Sequence, residues 1–175
     1  IIVENLYELT KNSYELEFLL KEDIKIFRSN YISTNSLFIK CRNFYFIYIY
    51  TFIVKEKLYT HGNQIADTDF IVDMNGEGCK ADIMSRSVAA DNSRQAFVST
   101  MNGNAPCHGH TECDAIIMDE ASVSAIPEVT ANHLDAALIH EAAIGKIAGE
   151  QLIKLMTLGL TEQEAEEQIV NGFLK

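Results

Sequence analysis

The chain has 175 residues, which is enough for one domain with a sizeable buried core. It carries 25 acidic and 14 basic side chains, and its formal net charge is −11. No cluster of Lys and Arg occurs along it. The composition therefore disfavours binding to nucleic acid and to anionic membrane surfaces, because both need clustered positive charge.

The number and spacing of the cysteines indicate whether the protein resides in a reducing or an oxidising compartment. The four cysteines are too few and too scattered for a disulfide-stabilised scaffold. We therefore expect a reducing, cytoplasmic location. The chain begins with Ile1 rather than Met and shows no signal peptide, so we expect a piece of a longer protein.

Composition changes near residue 52. All nine glycines lie after it, whereas twelve of the sixteen Phe and Tyr residues lie before it. Residues 1–52 carry six acidic and six basic side chains, so the whole net charge belongs to residues 53–175. We therefore expect an atypical N-terminal segment at 1–52, a strand-rich segment at 53–139 and a helical C-terminal segment at 140–175.

The N-terminal segment starts with leucines in a partly helical rhythm, namely Leu6, Leu9, Leu16, Leu19 and Leu20. It ends in an aromatic and β-branched run at 43–52, which is typical of a strand. This run is too short for a membrane helix, because Arg42 and Lys55 bound only about a dozen residues and about 20 are needed.

Residues 53–138 have the pattern of short strands separated by turn signals. The predicted strands are 53–60, 68–74, 80–88, 93–100 and 114–118. Because no helical segment lies between them, the pattern excludes a doubly wound α/β sheet. It favours a barrel, a sandwich or a β-helix, and no short sequence repeat distinguishes these three.

The hydrophobic period becomes helical after residue 139. The segment 142–158 predicts a helix that ends at Gly159 and has an apolar stripe of Ile144, Ile147, Leu152, Leu155 and Met156. Thr161 and Glu164 have the spacing of a capping box. They predict a second helix from residue 162 to about residue 170.

The densest group of potential metal ligands lies at 106–114. Cys107, His108 and His110 are soft or borderline donors suited to zinc or iron. On a regular strand, however, Cys107 and Cys113 face one side while His108 and His110 face the other. The alternative is that Cys113 is a small buried apolar residue, and without other information this alternative is slightly favoured.

A second candidate pair is His140 and Glu141, which we place where strands give way to helices. Near a helix N-terminus they could act as ligands or proton carriers. The alternative is a solvated histidine beside a favourable first-turn acid. No Walker A loop or other phosphate-binding motif occurs, so ATP use would have to come from a partner.

Several stretches of the chain, in order, resemble the SufB/SufD family of iron–sulfur cluster assembly scaffolds. They include GHTECDAII at 109–117 and HEAAIGKI at 140–147, together with 53–58, 68–78, 85–88, 124–128, 155–160 and 169–173. The resemblance implies a mainly β fold, a partial right-handed parallel β-helix followed by two or more helices. It also implies a non-enzymatic scaffold.

The resemblance further implies the site and the partners. Cys113, Glu141 and His140 would hold a transient iron–sulfur cluster where two cores meet. The second core would be a SufD-like subunit or another copy of this chain. The C-terminal helices would dock a SufC-type ABC ATPase through the apolar stripe, a sulfur donor protein would deliver sulfide, and the resemblance allows a bound flavin.

Residues 1–52 do not match this family. Either the run at 43–52 pairs with the sheet that follows, or the segment is not native to the family, as after a shifted reading frame. Two other functions remain as alternatives. One is a zinc-dependent enzyme that uses Cys107, His108 and His110, and the other is a purely structural interaction module.

Overall fold

The computed structural model describes residues 2–6, 38–47 and 51–175. Within these ranges the chain forms nine strands and then two helices. The strands are β1 Ile2–Leu6, β2 Phe38–Ile47, β3 Thr51–Thr60, β4 Ile65–Met74, β5 Cys79–Ala89, β6 Arg94–Gly103, β7 Cys107–Ile117, β8 Ser122–Ala131 and β9 Ala136–Gly145. The helices are α1 Gly149–Thr157 and α2 Glu162–Phe173.

Odd and even strands form two separate parallel sheets. One sheet has the order β1-β3-β5-β7-β9 and the other has the order β2-β4-β6-β8. Each strand from β3 to β7 therefore pairs with the strand one coil later, as Thr51 does with Lys80 and Cys79 does with Cys107. This is a parallel β-solenoid of about three turns, which confirms the prediction of a β-helix followed by helices.

The core lies between the two sheets. Side chains alternate along each strand, so every second residue of β3 to β7 is buried. The largest fully buried side chains are Phe52, Met74, Ile83 and Met101. Position 109 requires glycine, because a Cβ there would lie 2.1 Å from the Met101 sulfur.

Turn residues stack from coil to coil. Asn104 donates a side-chain hydrogen bond to Asn75 at 2.8 Å and accepts one from Asn132 at 2.7 Å. At the other corner, the backbone N–H of Gly62 donates to the carboxylate of Asp91 at 2.7 Å. Asp91 has a φ of 58°, a conformation that Asp tolerates better than most residues.

The structure corrects the predicted start of the helical segment. The chain is still in strand β9 at Ala142 and remains so to Gly145, and α1 begins only at Gly149. The prediction of a helix over 142–158 is therefore wrong for its first seven residues. Ile144 lies on β9 and Ile147 lies in the connection, because pairing with β7 outweighs the helical propensity of the alanines.

Three strands, β1, β8 and β9, were not predicted. The aromatic run at 43–52 contributes to β2 and β3, and β2 pairs with β4, as expected if the run joins the following sheet. Residues 48–50 of this run lie outside the described residues. So do Leu9, Leu16, Leu19 and Leu20 of the leucine pattern, whereas Leu6 ends β1.

The helical end follows the predicted capping. Gly159 follows the last residues of α1 with a φ of 96°. Thr161 and Glu164 form the predicted capping box at the start of α2. Neither helix in the described part of the chain is long and apolar enough to cross a membrane.

Candidate functional site

Strands β7 and β9 bring the two predicted motifs side by side. Their Cα register pairs Thr111 with His140, Glu112 with Glu141, and Cys113 with Ala142. Residues that are more than 25 positions apart in the sequence are therefore immediate neighbours on one sheet. β9 is the last strand of this sheet, so the motifs lie at the end of the solenoid.

The two faces of the sheet separate the three residues that the resemblance implicates. Cys113 is buried in the interior, and His140 shares that face because it pairs with the buried Thr111. Glu141 is the next residue along β9 and lies on the outer face. The prediction that His140 and Glu141 mark a strand–helix junction is wrong, because both lie in the middle of β9.

The Cys113 thiol lies in a closed environment. Only 1% of the residue is exposed, and it packs in the main apolar cluster. Burial, followed by the negative charges of Glu56 and Asp114, raises the pKa of Cys113 to about 11. At neutral pH it is therefore a protonated thiol, which is a poor nucleophile and a poor ligand until its surroundings change.

A buried carboxyl group lies two strands away from this thiol on the same interior face. Glu56, Ser85 and Cys113 occupy successive register positions on β3, β5 and β7. Glu56 accepts hydrogen bonds from Thr68 at 2.9 Å and from Ser85 at 2.7 Å. The sequence alone did not single out Glu56, although its place in the alternating pattern of β3 marks it as inward-facing.

The His140 ring lies at the open end of the interior. Burial lowers its pKa, with a smaller contribution in the same direction from His110, while the backbone of Thr111 and the charge of Glu141 act in the opposite direction. Its Nδ1 atom is buried without a hydrogen-bond partner. A neutral imidazole of this kind keeps a lone pair for a metal ion.

A chain of ionisable side chains lies on the outer face of the same sheet. His110 Nδ1 is 2.9 Å from a carboxylate oxygen of Asp82, its register partner on β5. His110 Nε2 is 3.9 Å from a carboxylate oxygen of Glu141. Asp82 was not identified from the sequence, because it contacts His110 only through strand pairing 28 residues apart.

The alternative zinc ligands are not brought together. Cys107 is buried in the interior beside Cys79, whereas His108 and His110 lie on the outer face. Burial, with a smaller effect of Cys79, raises the pKa of Cys107. Over the described ranges, no three His, Cys, Asp or Glu side chains converge closely enough to hold a metal ion.

The predicted partner-binding stripe is divided in the structure. Leu152 and Leu155 of α1 are half-buried, while Met156 is exposed. Ile153 and Leu158, which the sequence did not single out, are more exposed still, at 62% and 76%. The outward apolar surface of α1 therefore consists of Ile153, Met156 and Leu158.

The chain matches the family described as "SUF system FeS cluster assembly, SufBD core domain" over residues 52–173. It is 38% identical over 122 residues to an iron-sulfur cluster assembly SufBD family protein of Methanocaldococcus jannaschii, covering 69% of this chain and 39% of that protein. Another such protein, from Methanothermobacter thermautotrophicus, is 36% identical over 114 residues, covering 64% of this chain and 28% of that protein.

A third relative of the same description, from Archaeoglobus fulgidus, is 38% identical over 101 residues, covering 57% of this chain and 27% of that protein. The chain thus spans less than two fifths of the length of these relatives. The matched region contains β3 from its second residue, β4 to β9, both helices and every candidate site residue. The chain belongs to the SufBD core family of the SUF system for iron–sulfur cluster assembly.

Proposed function

We propose that this chain is a non-enzymatic scaffold component of a SUF-type assembly complex and holds a nascent iron–sulfur cluster where it meets a second core. The observation that carries the proposal is the position of Cys113. Among the strands that the structure describes, only β9 separates β7 and its thiol from the end of the solenoid. That last strand carries His140 and Glu141.

The end of the solenoid is suited to being covered by another protein. Val129 of β8 and Ile144 of β9 face the interior by register, opposite Met101 and Ala115. They are nevertheless 45% and 39% exposed, because no further coil within the described residues covers them. A second core, either another copy of this chain or a SufD-like subunit, would bury these side chains and the unpaired strand edges.

Cluster chemistry at this site requires the terminal coil to move. The Cys113 thiol is protonated and enclosed at neutral pH. Displacing β9 would give iron access to the thiol, and a metal ion stabilises the deprotonated form that binds it. Neutral His140 on the same face and Glu141 across the strand would complete a loose, exchangeable ligand set for the cluster.

Anaerobic reconstitution with ferrous iron and sulfide tests the site. We expect Cys113→Ala to lose most of the cluster absorbance that the unmodified protein gains. Cys79→Ala is the matched control, because Cys79 is equally buried and lies two strands away from the last strand. Full absorbance in Cys113→Ala, or equal loss in both variants, would contradict the assignment.

We further propose that a SufC-type ATPase docks on α1 and supplies the ATP-driven movement, while a sulfur donor protein delivers sulfide. Support comes from the exposed row of Ile153, Met156 and Leu158. Ile153→Lys combined with Leu158→Lys should abolish co-purification with such an ATPase. Leu134→Lys, at a fully exposed turn position, should leave it intact. If the double variant still binds the ATPase, α1 is not the docking surface.

A further inference from the structure

We propose that His110 and Glu141 form a receiving site for ferrous iron on the outer face of the sheet, with Asp82 as the residue that positions the His110 ring. The inference rests on the proposed function, in which iron is cargo rather than a resident cofactor. It adds a ligand, His110, and a positioning residue, Asp82, that the cluster site described above does not include.

The hydrogen bond to Asp82 determines which ring nitrogen of His110 is free. A carboxylate only accepts hydrogen bonds, so the 2.9 Å contact assigns the proton of the neutral ring to Nδ1. Nε2 then carries the lone pair. A metal-binding histidine is oriented in the same way by a carboxylate that accepts from its other nitrogen.

The free nitrogen faces a second acceptor at a distance that a metal ion can bridge. Nε2 of His110 is 3.9 Å from Oε2 of Glu141, which is too far for a hydrogen bond. Divalent transition-metal ions bind nitrogen and carboxylate oxygen at about 2.1 Å, so one ion can contact both atoms at a wide angle. Imidazole with carboxylate is a donor set that suits ferrous iron.

The site is open and incomplete, as a transfer site should be. The side chains of His110 and Glu141 are 34% and 68% exposed, so an ion can reach them directly from solvent. No third ligand converges there within the described residues, and water would fill the remaining positions. Binding should therefore be weak and exchangeable.

The receiving site is also next to the cluster site. Glu141 pairs in register with Glu112, which is adjacent to Cys113 on β7. The iron site and the Cys113 thiol therefore lie on opposite faces of the same two strands.

Ferrous iron alone, without sulfide, is the probe for an anaerobic equilibrium-dialysis experiment on the full chain. We expect one exchangeable ion per chain, and at least a tenfold weaker affinity in His110→Gln and in Glu141→Gln. His108→Gln is the matched control, because His108 is on the same face two residues away, and its affinity should be unchanged. Circular dichroism verifies that each variant is folded.

Asp82→Ala tests the positioning role. Loss of an orienting carboxylate typically weakens metal binding 10- to 100-fold. The visible spectrum of bound cobalt(II) should change in Asp82→Ala and in His110→Gln but not in His108→Gln. A spectrum in Asp82→Ala identical to that of the unmodified protein would overturn the role of Asp82.

Wild-type affinity in His110→Gln, or an equal loss in His108→Gln, would overturn the iron site. If that happens while Cys113→Ala still loses the cluster, the scaffold function stands and only the receiving site fails. If iron binding depends on His110 and Glu141 while Cys113→Ala keeps its cluster, the receiving site stands and the Cys113 assignment fails.

Discussion

The Glu56 carboxyl group lies inside the solenoid, where only 7% of the residue is exposed. Burial raises its pKa, although the hydroxyl groups of Ser85 and Thr68 partly compensate by donating hydrogen bonds to it. An ionisable group in this position costs stability when it is charged. It also contributes to the raised pKa of the Cys113 thiol on the same interior face.

Glu56 should make stability depend on pH. The unfolded chain releases this proton near the ordinary pKa of 4.5, whereas the folded chain keeps it to a higher pH. Between these two values the folded state binds more protons, so the free energy of unfolding falls as pH rises. Glu56→Gln should remove this part of the fall.

Urea denaturation at a series of pH values above 4.5 measures the effect. Glu120→Gln is the control, because Glu120 is exposed in the turn between β7 and β8. A Glu56→Gln profile parallel to that of the unmodified protein would contradict the prediction.

The sequence predicted those features of the site that depend on neighbouring residues in the chain. It did not predict contacts between residues that are far apart in the sequence. Strand alternation correctly separated Cys107 from His108 and His110, because it is a local property. The contacts of His110 with Asp82 and Glu141 could not be predicted, since they depend on the register between strands. The resemblance implicated Cys113, Glu141 and His140 as candidate ligands, but it did not indicate that they lie on two faces.

At the scale of elements, the turns contribute a ladder of asparagine side chains. Asn104 is the middle member and takes part in two side-chain hydrogen bonds, whereas Asn132 takes part in one within this ladder. A typical hydrogen bond contributes about 0.5–1.5 kcal/mol to stability.

Replacing the middle of the ladder should therefore cost more than replacing its end. We expect Asn104→Ala to lower the free energy of unfolding by about 1–2 kcal/mol, and Asn132→Ala by about half as much. Urea denaturation of both variants under identical conditions measures the difference. Equal losses of unfolding free energy in the two variants would show that the hydrogen bonds of the ladder do not contribute independently to stability.

The elements also show where local sequence signals suffice. The capping box at Thr161 and the glycine after α1 were both predicted correctly, because each is determined by residues within one turn of helix. The last four residues of β9 were mistaken for the start of a helix because Ala142 and Ala143 favour helices locally. Its pairing with β7 is a long-range interaction that outweighs this preference.

The sequence pattern predicted that the molecule is rich in strands, but it did not predict that the strands coil into a solenoid. From β3 onward, successive turns repeat corresponding residues at intervals of 28 or 29, as at Asn75, Asn104 and Asn132. Apart from such turn asparagines, corresponding positions carry too little identity between coils to reveal a repeat. The β-helix was therefore predicted from family resemblance rather than from periodicity.

The open end of the solenoid predicts association with a second core. We expect Val129→Lys combined with Ile144→Lys to prevent assembly, because both side chains face the uncovered interior. Ile126→Lys is the control, since Ile126 is similarly exposed but lies on the outer face. Analytical ultracentrifugation of each form, alone and with a SufD-like subunit, measures the assembled mass.

A monomeric unmodified chain under both conditions would contradict the prediction. So would an assembled double variant whose circular dichroism shows that it is folded. Assembly of the unmodified chain alone would identify a second copy as the partner. Assembly only in the presence of the SufD-like subunit would identify that subunit instead.

From β3 to β9 the offset between paired strands is nearly constant, which has a consequence for how this protein can change in length. Inserting or deleting one complete turn, 28 or 29 residues, returns every later side chain to an equivalent place. Adding a single residue within a strand would instead exchange its buried and solvent-facing sides. Viable size variants of the solenoid should therefore differ by whole turns or by loops at the corners.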